Sequence, residues 1–196
     1  MSDLRALPPN KLVTPGFVLR PWRLGDAALL HAAINDSRAH LEPWMHWHGA
    51  HTKVSDTLGE IRRQRARWLL DEDFVIGVLS PDGGEAWGGT GFLPRDGALG
   101  EGTTEIGMWI RSSQAGRGLG TQVLLAMLDW AFTAWWWDRV EWRCDVENHA
   151  SAAVARRAGL RLEGTLRRHR VDHLGVRRDS HIFAALREEW EPPGSG

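Results

Sequence analysis

Gly116, Gly118 and Gly120 stand at alternate positions in QAGRGLGTQ (114–122), with Arg117 between the first two and an apolar stretch following directly. A turn this bare, opening into a helix, presents unpaired backbone N–H groups and the positive end of a helix dipole. Without Cβ atoms a ligand can approach the main chain closely. Phosphate or pyrophosphate is the natural occupant of such a place. Arg117 adds a local positive charge and Thr121 a hydroxyl. No Gly-Lys-Ser/Thr follows a four-residue gap, so this is not a Walker loop, and G-x-G-x-G differs from the G-x-G-x-x-G dinucleotide fingerprint. A glycine turn that serves backbone geometry alone is the competing reading.

Other residues could carry chemistry. Glu105, in TEIGMWI, is either a base acting through water or a strand carboxylate in an ion pair. Ser151, in NHASAAV, reads from spacing alone as a first-turn helix residue bonded to local backbone. His169 has a suitable intrinsic pKa but reads as a surface imidazole. Four histidines and two tryptophans crowd HLEPWMHWHGAH (40–51). Their spacing matches no structural zinc pattern, so no metal is expected. Cys144 is the single cysteine and reads as a buried small hydrophobe, with no internal disulfide open to it.

These groups need a scaffold. The chain has 196 residues, 42% hydrophobic and 25% charged, with a formal net charge of -1. That balance gives no general attraction to nucleic acid or anionic membrane, so neither is expected as a partner. The basic runs RRHRV and VRR read as a hairpin's solvated face, with contact to an acidic group or a phosphate as the alternative. The longest apolar stretch, 119–137, carries Gln122 and Asp129, which favours a buried or amphipathic helix over a membrane span. The N-terminal residues lack an apolar signal core, and a cytoplasmic location is expected. Twelve tryptophans and no tyrosine stand out. A tryptophan-rich surface would suit a homodimer.

Periodicity predicts strands at 17–22, 73–80, 86–93, 104–110 and 139–146, then a closing pair around the LGVRR turn. Helices are predicted from Asp26 to before Pro43, from about Ser55, after the glycine turn, and over 148–159. The strand–helix–strand unit implies one parallel pair in a mostly antiparallel sheet, an α/β architecture. One domain over 1–196 is expected, with its core over about 15–190.

Ala115-Gly116-Arg117-Gly118-Leu119-Gly120 resembles the acyl-CoA signature R/Q-x-x-G-x-G/A of the GNAT acetyltransferases, with Ala115 in the first position and Gln114 one place earlier. TEIGMWI resembles that family's fourth strand. DVENHASAAVARRAGLRLEGTLR and LGVRRDSHIFAALREEW resemble later blocks of the RimJ/RimL-type subgroup, and the similarity runs over roughly residues 15–190. The resemblance implies a GNAT-like mixed, mostly antiparallel central sheet flanked by helices, with splayed fourth and fifth strands. It implies an N-acyltransferase moving an acetyl group from acetyl-CoA, or another acyl-CoA, to a primary amine on a protein N-terminus or a small molecule. A non-catalytic CoA- or nucleotide-binding module is the alternative. Met108, Trp109 and Ile110 would pair with pantetheine through their backbones, Gly116, Gly118, Gly120 and Thr121 would hold the pyrophosphate, Arg117 would form a phosphate salt bridge, and Asn148 would touch the pantetheine arm. Ser151 matches the subgroup's serine near the thioester sulfur, and Glu105 is the candidate base. Trp44, His46 and Trp47 would line the acceptor cleft.

Overall fold

The computed structural model describes residues 10–45, 52–94 and 99–191. Eight strands form one sheet in the order β1-β2-β3-β4-β5-β6-β8-β7. They are β1 (Leu12–Val13), β2 (Val18–Arg20), β3 (Phe74–Leu79), β4 (Ala86–Leu93), β5 (Thr103–Ile110), β6 (Arg139–Asp145), β7 (Arg161–Val171) and β8 (Arg177–Leu186). The helices are α1 (Ala27–Asp36), α2 (Arg38–Leu41), α3 (Val54–Leu69), α4 (Leu119–Thr133) and α5 (His149–Arg157). The expected strands are all present. β1 is an addition, too short to show a period, so the expected fourth and fifth strands are β5 and β6.

Among the described residues, only β5 and β6 run parallel; the other neighbouring strands pair antiparallel. A parallel pair needs a crossover, and α4 provides it. Val123, Leu124, Met127, Leu128 and Ala131 recur at helical spacing along α4 and are buried. They lie in a core with Phe74, Phe92, Trp135 and Trp137 from the sheet and its connections. Trp135 packs edge-on against Phe74 at 4.8 Å and beside Phe92 at 4.7 Å between ring centroids.

The apolar run 119–137 is not helical throughout, because α4 stops at Thr133. Consecutive helical side chains diverge by about 100°, so one helix face cannot take both Trp135 and Trp137. Outside the helix, both rings enter the core, and Trp136 between them is half-buried. The first helix is likewise interrupted. It ends at Asp36, Ser37 is buried, and four residues of α2 follow.

The edge carrying α1 and α3 is fixed by a buried ion pair. Arg20 on β2 donates to both oxygens of Asp26, at 2.6 and 3.1 Å. The same carboxylate accepts the Arg23 amide at 2.7 Å and so starts the turn into α1. Burial pushes the Asp26 carboxyl up, but the Arg20 guanidinium and the Arg23 amide outweigh it and hold the group below the usual carboxylate range. Among the described residues, no helix is long and apolar enough to cross a membrane.

Candidate active site

The parallel pairing of β5 with β6 lasts for three residues: Thr103 with Arg139, Thr104 with Val140, and Glu105 with Glu141. Beyond Glu105 the strands separate. Met108, Trp109 and Ile110 still pair with β4 on one side, which leaves the β6-facing edge of β5 open. A cleft of about 650 Å³ occupies the split.

The register at the vertex sets Glu105 beside Glu141, and like charges in neighbouring positions repel. Arginines sit between the carboxylates. Arg143 approaches Glu105 at 3.7 Å and Glu141 at 2.8 Å. Arg139 bonds Glu141 at 2.8 Å and Glu163 at 2.5 Å. The Arg139 hydrogen bond holds the Glu163 carboxyl below its ordinary range. Glu105 is thus both an ion-paired strand residue and part of the cleft wall, with 7% of its surface exposed.

At the mouth of the split lies the glycine turn. Gly116 and Gly118 have φ of 72° and 81°, the left-handed region that side chains other than glycine rarely adopt. A Cβ built on either would meet nothing within 4 Å, so the space over the turn is open. Gly118 is the N-cap of α4, and no side chain caps it. The first helical hydrogen bond into its carbonyl comes from Gln122 at 3.1 Å. The amides of Leu119, Gly120 and Thr121 therefore have no acceptor within the helix. The turn is braced from below. The Ser112 amide donates to Ser37 Oγ at 3.0 Å, the Ser112 hydroxyl to the Asp36 carbonyl at 3.0 Å, and Arg111 pairs with Asp36. The break between α1 and α2 is thus the anchor for the residues leading into the glycines.

The third wall is one face of α5. Ala150, Ala153, Val154 and Arg157 follow helical spacing and all line the cleft. Val154 lies 3.5 Å from where a Gly120 Cβ would stand. Arg157, less than one turn further on, is exposed and has no ion pair among the described residues. Asn148 caps α5 by accepting the Ser151 amide at 3.0 Å. Ser151 also lines the cleft, and its hydroxyl accepts a hydrogen bond from Trp142 Nε1 at 3.0 Å. An indole N–H only donates, so the serine's own proton is left for another acceptor. Cys144 shares this corner. Burial pushes its thiol up, and contact with the Ser151 hydroxyl offsets this only in part.

The structure gathers Glu105, Met108, Trp109, Ile110, Gly116, Gly118, Gly120, Thr121, Asn148 and Ser151 around one cleft, and Trp44 joins them from the segment after α2. Arg117 is exposed between the glycines and is not part of the lining. His46 and Trp47 lie outside the described residues. Sequence reading missed Trp142, Arg143 and Arg157. Alternation in VEWRCDV puts Trp142 and Cys144 on one face, and that was the available signal for Trp142. Among the described residues, no three His, Cys, Asp or Glu side chains gather as a metal site.

A mixed sheet split between its parallel pair, with a bare helix N-terminus at the mouth of the cleft, defines the class of this protein as mixed α/β. A family model described as an acetyltransferase (GNAT) domain matches residues 17–161, and the chain belongs to the GNAT acetyltransferase family. Solved structures agree. RimJ of Mycobacterium smegmatis, in complex with CoA-disulfide, is 32% identical with a TM-score of 0.80, over 91% of this chain and 87% of that one. The ribosomal-protein-S5-alanine acetyltransferase of Vibrio fischeri shares the fold at 17% identity and a TM-score of 0.81, over 93% and 99%. The microcin C7 self-immunity acetyltransferase MccE, in complex with acetyl-CoA and AMP, does so at 22% and 0.82, over 92% and 98%. Sequence comparison with curated proteins finds no match.

Proposed function

We propose that this N-acetyltransferase moves an acetyl group from acetyl-CoA to the primary amine of a protein N-terminus. The observation that carries the reading is the split itself, which opens at the uncapped start of α4 and runs past Ser151 to Glu105. The named activities of the similar structures support a protein amine as acceptor and CoA as carrier.

Bound acetyl-CoA would supply an activated thioester; this chain's residues do the rest. The amides of residues 119–121 and the Thr121 hydroxyl hold the pyrophosphate, with open space over Gly116 and Gly118 for its oxygens. Arg157, beside the Val154–Gly120 contact, supplies a positive charge at that end. The β6-facing edge of β5 beyond Glu105 offers backbone groups to the pantetheine amides. Ser151, its oxygen engaged by Trp142, turns its proton toward the leaving sulfur and stabilises a thiolate. Glu105 draws the ammonium proton from the acceptor through water, with Arg143 3.7 Å from its carboxylate.

The test is turnover. Acetyl-CoA and a panel of peptides with free N-termini should release CoA thiol at a rate that depends on the peptide. Tight acetyl-CoA binding with no turnover across the panel would return the chain to the binding-module reading.

A further inference from the structure

The cleft has a wall that neither the glycine turn nor α5 explains. Leu41, Pro43 and Trp44 line it from the segment around α2, and Arg170 and Val171 line it from the end of β7. β7 reaches that place by an irregularity. Leu166 pairs with Ser180 and Arg170 with Arg178, so four steps on β7 oppose two on β8. The surplus residues bulge, and Arg168 takes φ 52°. Asp179 accepts the Arg168 amide at 2.7 Å, and Arg177 Nη1 donates to its carbonyl at 3.2 Å. Before the bulge, residues 161–168 are exposed; after it, Arg170 is half-buried in the cleft wall.

The charges nearby are nearly all matched. Arg143 faces Glu141 and Glu105. Arg178 makes two 3.1 Å bonds to Asp145. Asp172 caps its turn by accepting the Leu174 and Val176 amides, each at 2.9 Å. Arg170, like Arg157 on α5, has no hydrogen bond or ion pair among the described residues. It also stands directly opposite Arg178 in the ladder, where like charges repel. A packed hairpin gains nothing from that arrangement. An anion arriving in the cleft would.

Taking the acyl-transfer reading as its base, we infer that Arg170 is the specificity-determining residue of the acceptor subsite, and that the preferred acceptor is a peptide with an acidic side chain next to its N-terminal residue. The guanidinium holds the anion, the apolar wall of Leu41, Pro43 and Trp44 takes the N-terminal side chain, and the amine is left toward Glu105. Carboxylate and phosphate share this chemistry, so both belong in the test.

Peptides identical except for Asp, phosphoserine, Asn or Lys at the second position are compared with acetyl-CoA. The wild type should favour Asp or phosphoserine over Lys by roughly tenfold or more in kcat/KM, the size expected of one charge-assisted hydrogen bond. Whichever of the two anions is better names the natural group. Arg170→Ala should bring the ratio near one and Arg170→Glu should invert it, while the KM for acetyl-CoA holds. Because the substitution removes a like-charge neighbour, the Tm of Arg170→Ala should not fall. Turnover without charge preference, a preference that survives Arg170→Glu, or a raised acetyl-CoA KM in Arg170→Ala would each overturn the inference while leaving acyl transfer standing. No turnover of any peptide, with acetyl-CoA bound, would remove acyl transfer and this inference together.

Discussion

Ser151 and Trp142 meet through a single hydrogen bond, and its direction matters more than its strength. The indole can only donate, so it engages the serine oxygen and leaves the serine proton for an acceptor, the Cys144 sulfur in this corner or the sulfur of a bound thioester. Two substitutions separate the contributions. Ser151→Ala should leave acetyl-CoA affinity unchanged and lower kcat by roughly 10–100-fold, the size of a lost hydrogen bond to a charged group. Trp142→Phe removes only the orienting donor, so kcat should fall by less, with KM for acetyl-CoA steady. Equal kcat for wild type and Ser151→Ala, measured by thiol release under saturation, would take the serine out of the mechanism. Single residues were the least legible part of the sequence. Ser151 looked like an ordinary helix-start residue, and it is one, bonded to Asn148. Its second face, toward Trp142 and the cleft, depends on packing between β6 and α5 that no local pattern encodes. Gly118 shows a related limit. The turn was visible, but not that φ is 81° there. A valine at 118 would strain the backbone as well as block a phosphate, so it does not report on the ligand alone.

Elements were more legible than residues, because hydrophobic period is a local property. The parallel pair followed from one strand, a glycine turn, a long apolar helix and another strand. Both departures among the helices have packing causes: α4 ends early to let Trp135 and Trp137 into the core, and α1 breaks at Ser37 to brace the glycine turn. Two measurements test the packing of the elements behind the site. On β3, a Cβ at Gly77 would stand 2.8 Å from the buried ring of Trp22. Gly77→Ala should therefore lower stability by about 1–3 kcal/mol, an overpacking effect readable by chemical denaturation. The Arg20–Asp26 pair sets a pH dependence. The Asp26 carboxyl is depressed in the folded protein, so its stabilising contribution is complete above the unfolded value, near pH 4, and drains away as pH falls through the lower folded value. Asp26→Ala leaves Arg20 buried without its partner and should cost about 3–5 kcal/mol near neutral pH. Stability in that variant should then vary less with pH below 4 than in the wild type.

At the scale of the molecule, a sheet that opens between two strands makes ligand binding and stability one problem. The split forfeits β5–β6 hydrogen bonds beyond Glu105, and a ligand that bridges the two edges restores bonds to both. Acetyl-CoA at a hundred times its Kd should add about 2.7 kcal/mol to stability, a rise in Tm of roughly 5–10 °C for a chain of this size. The family was legible from the order of its motifs over most of the chain. The acceptor was not, because the wall that would select it joins the α2 segment to the bulged end of β7, far apart in sequence.

The most direct test of the central claim is a crystal structure of the protein with acetyl-CoA. The diphosphate oxygens should lie about 3 Å from the amides of residues 119–121, with the thioester sulfur beside Ser151 between β5 and β6. A diphosphate bound elsewhere, or a split that closes and excludes the pantetheine, would contradict the account.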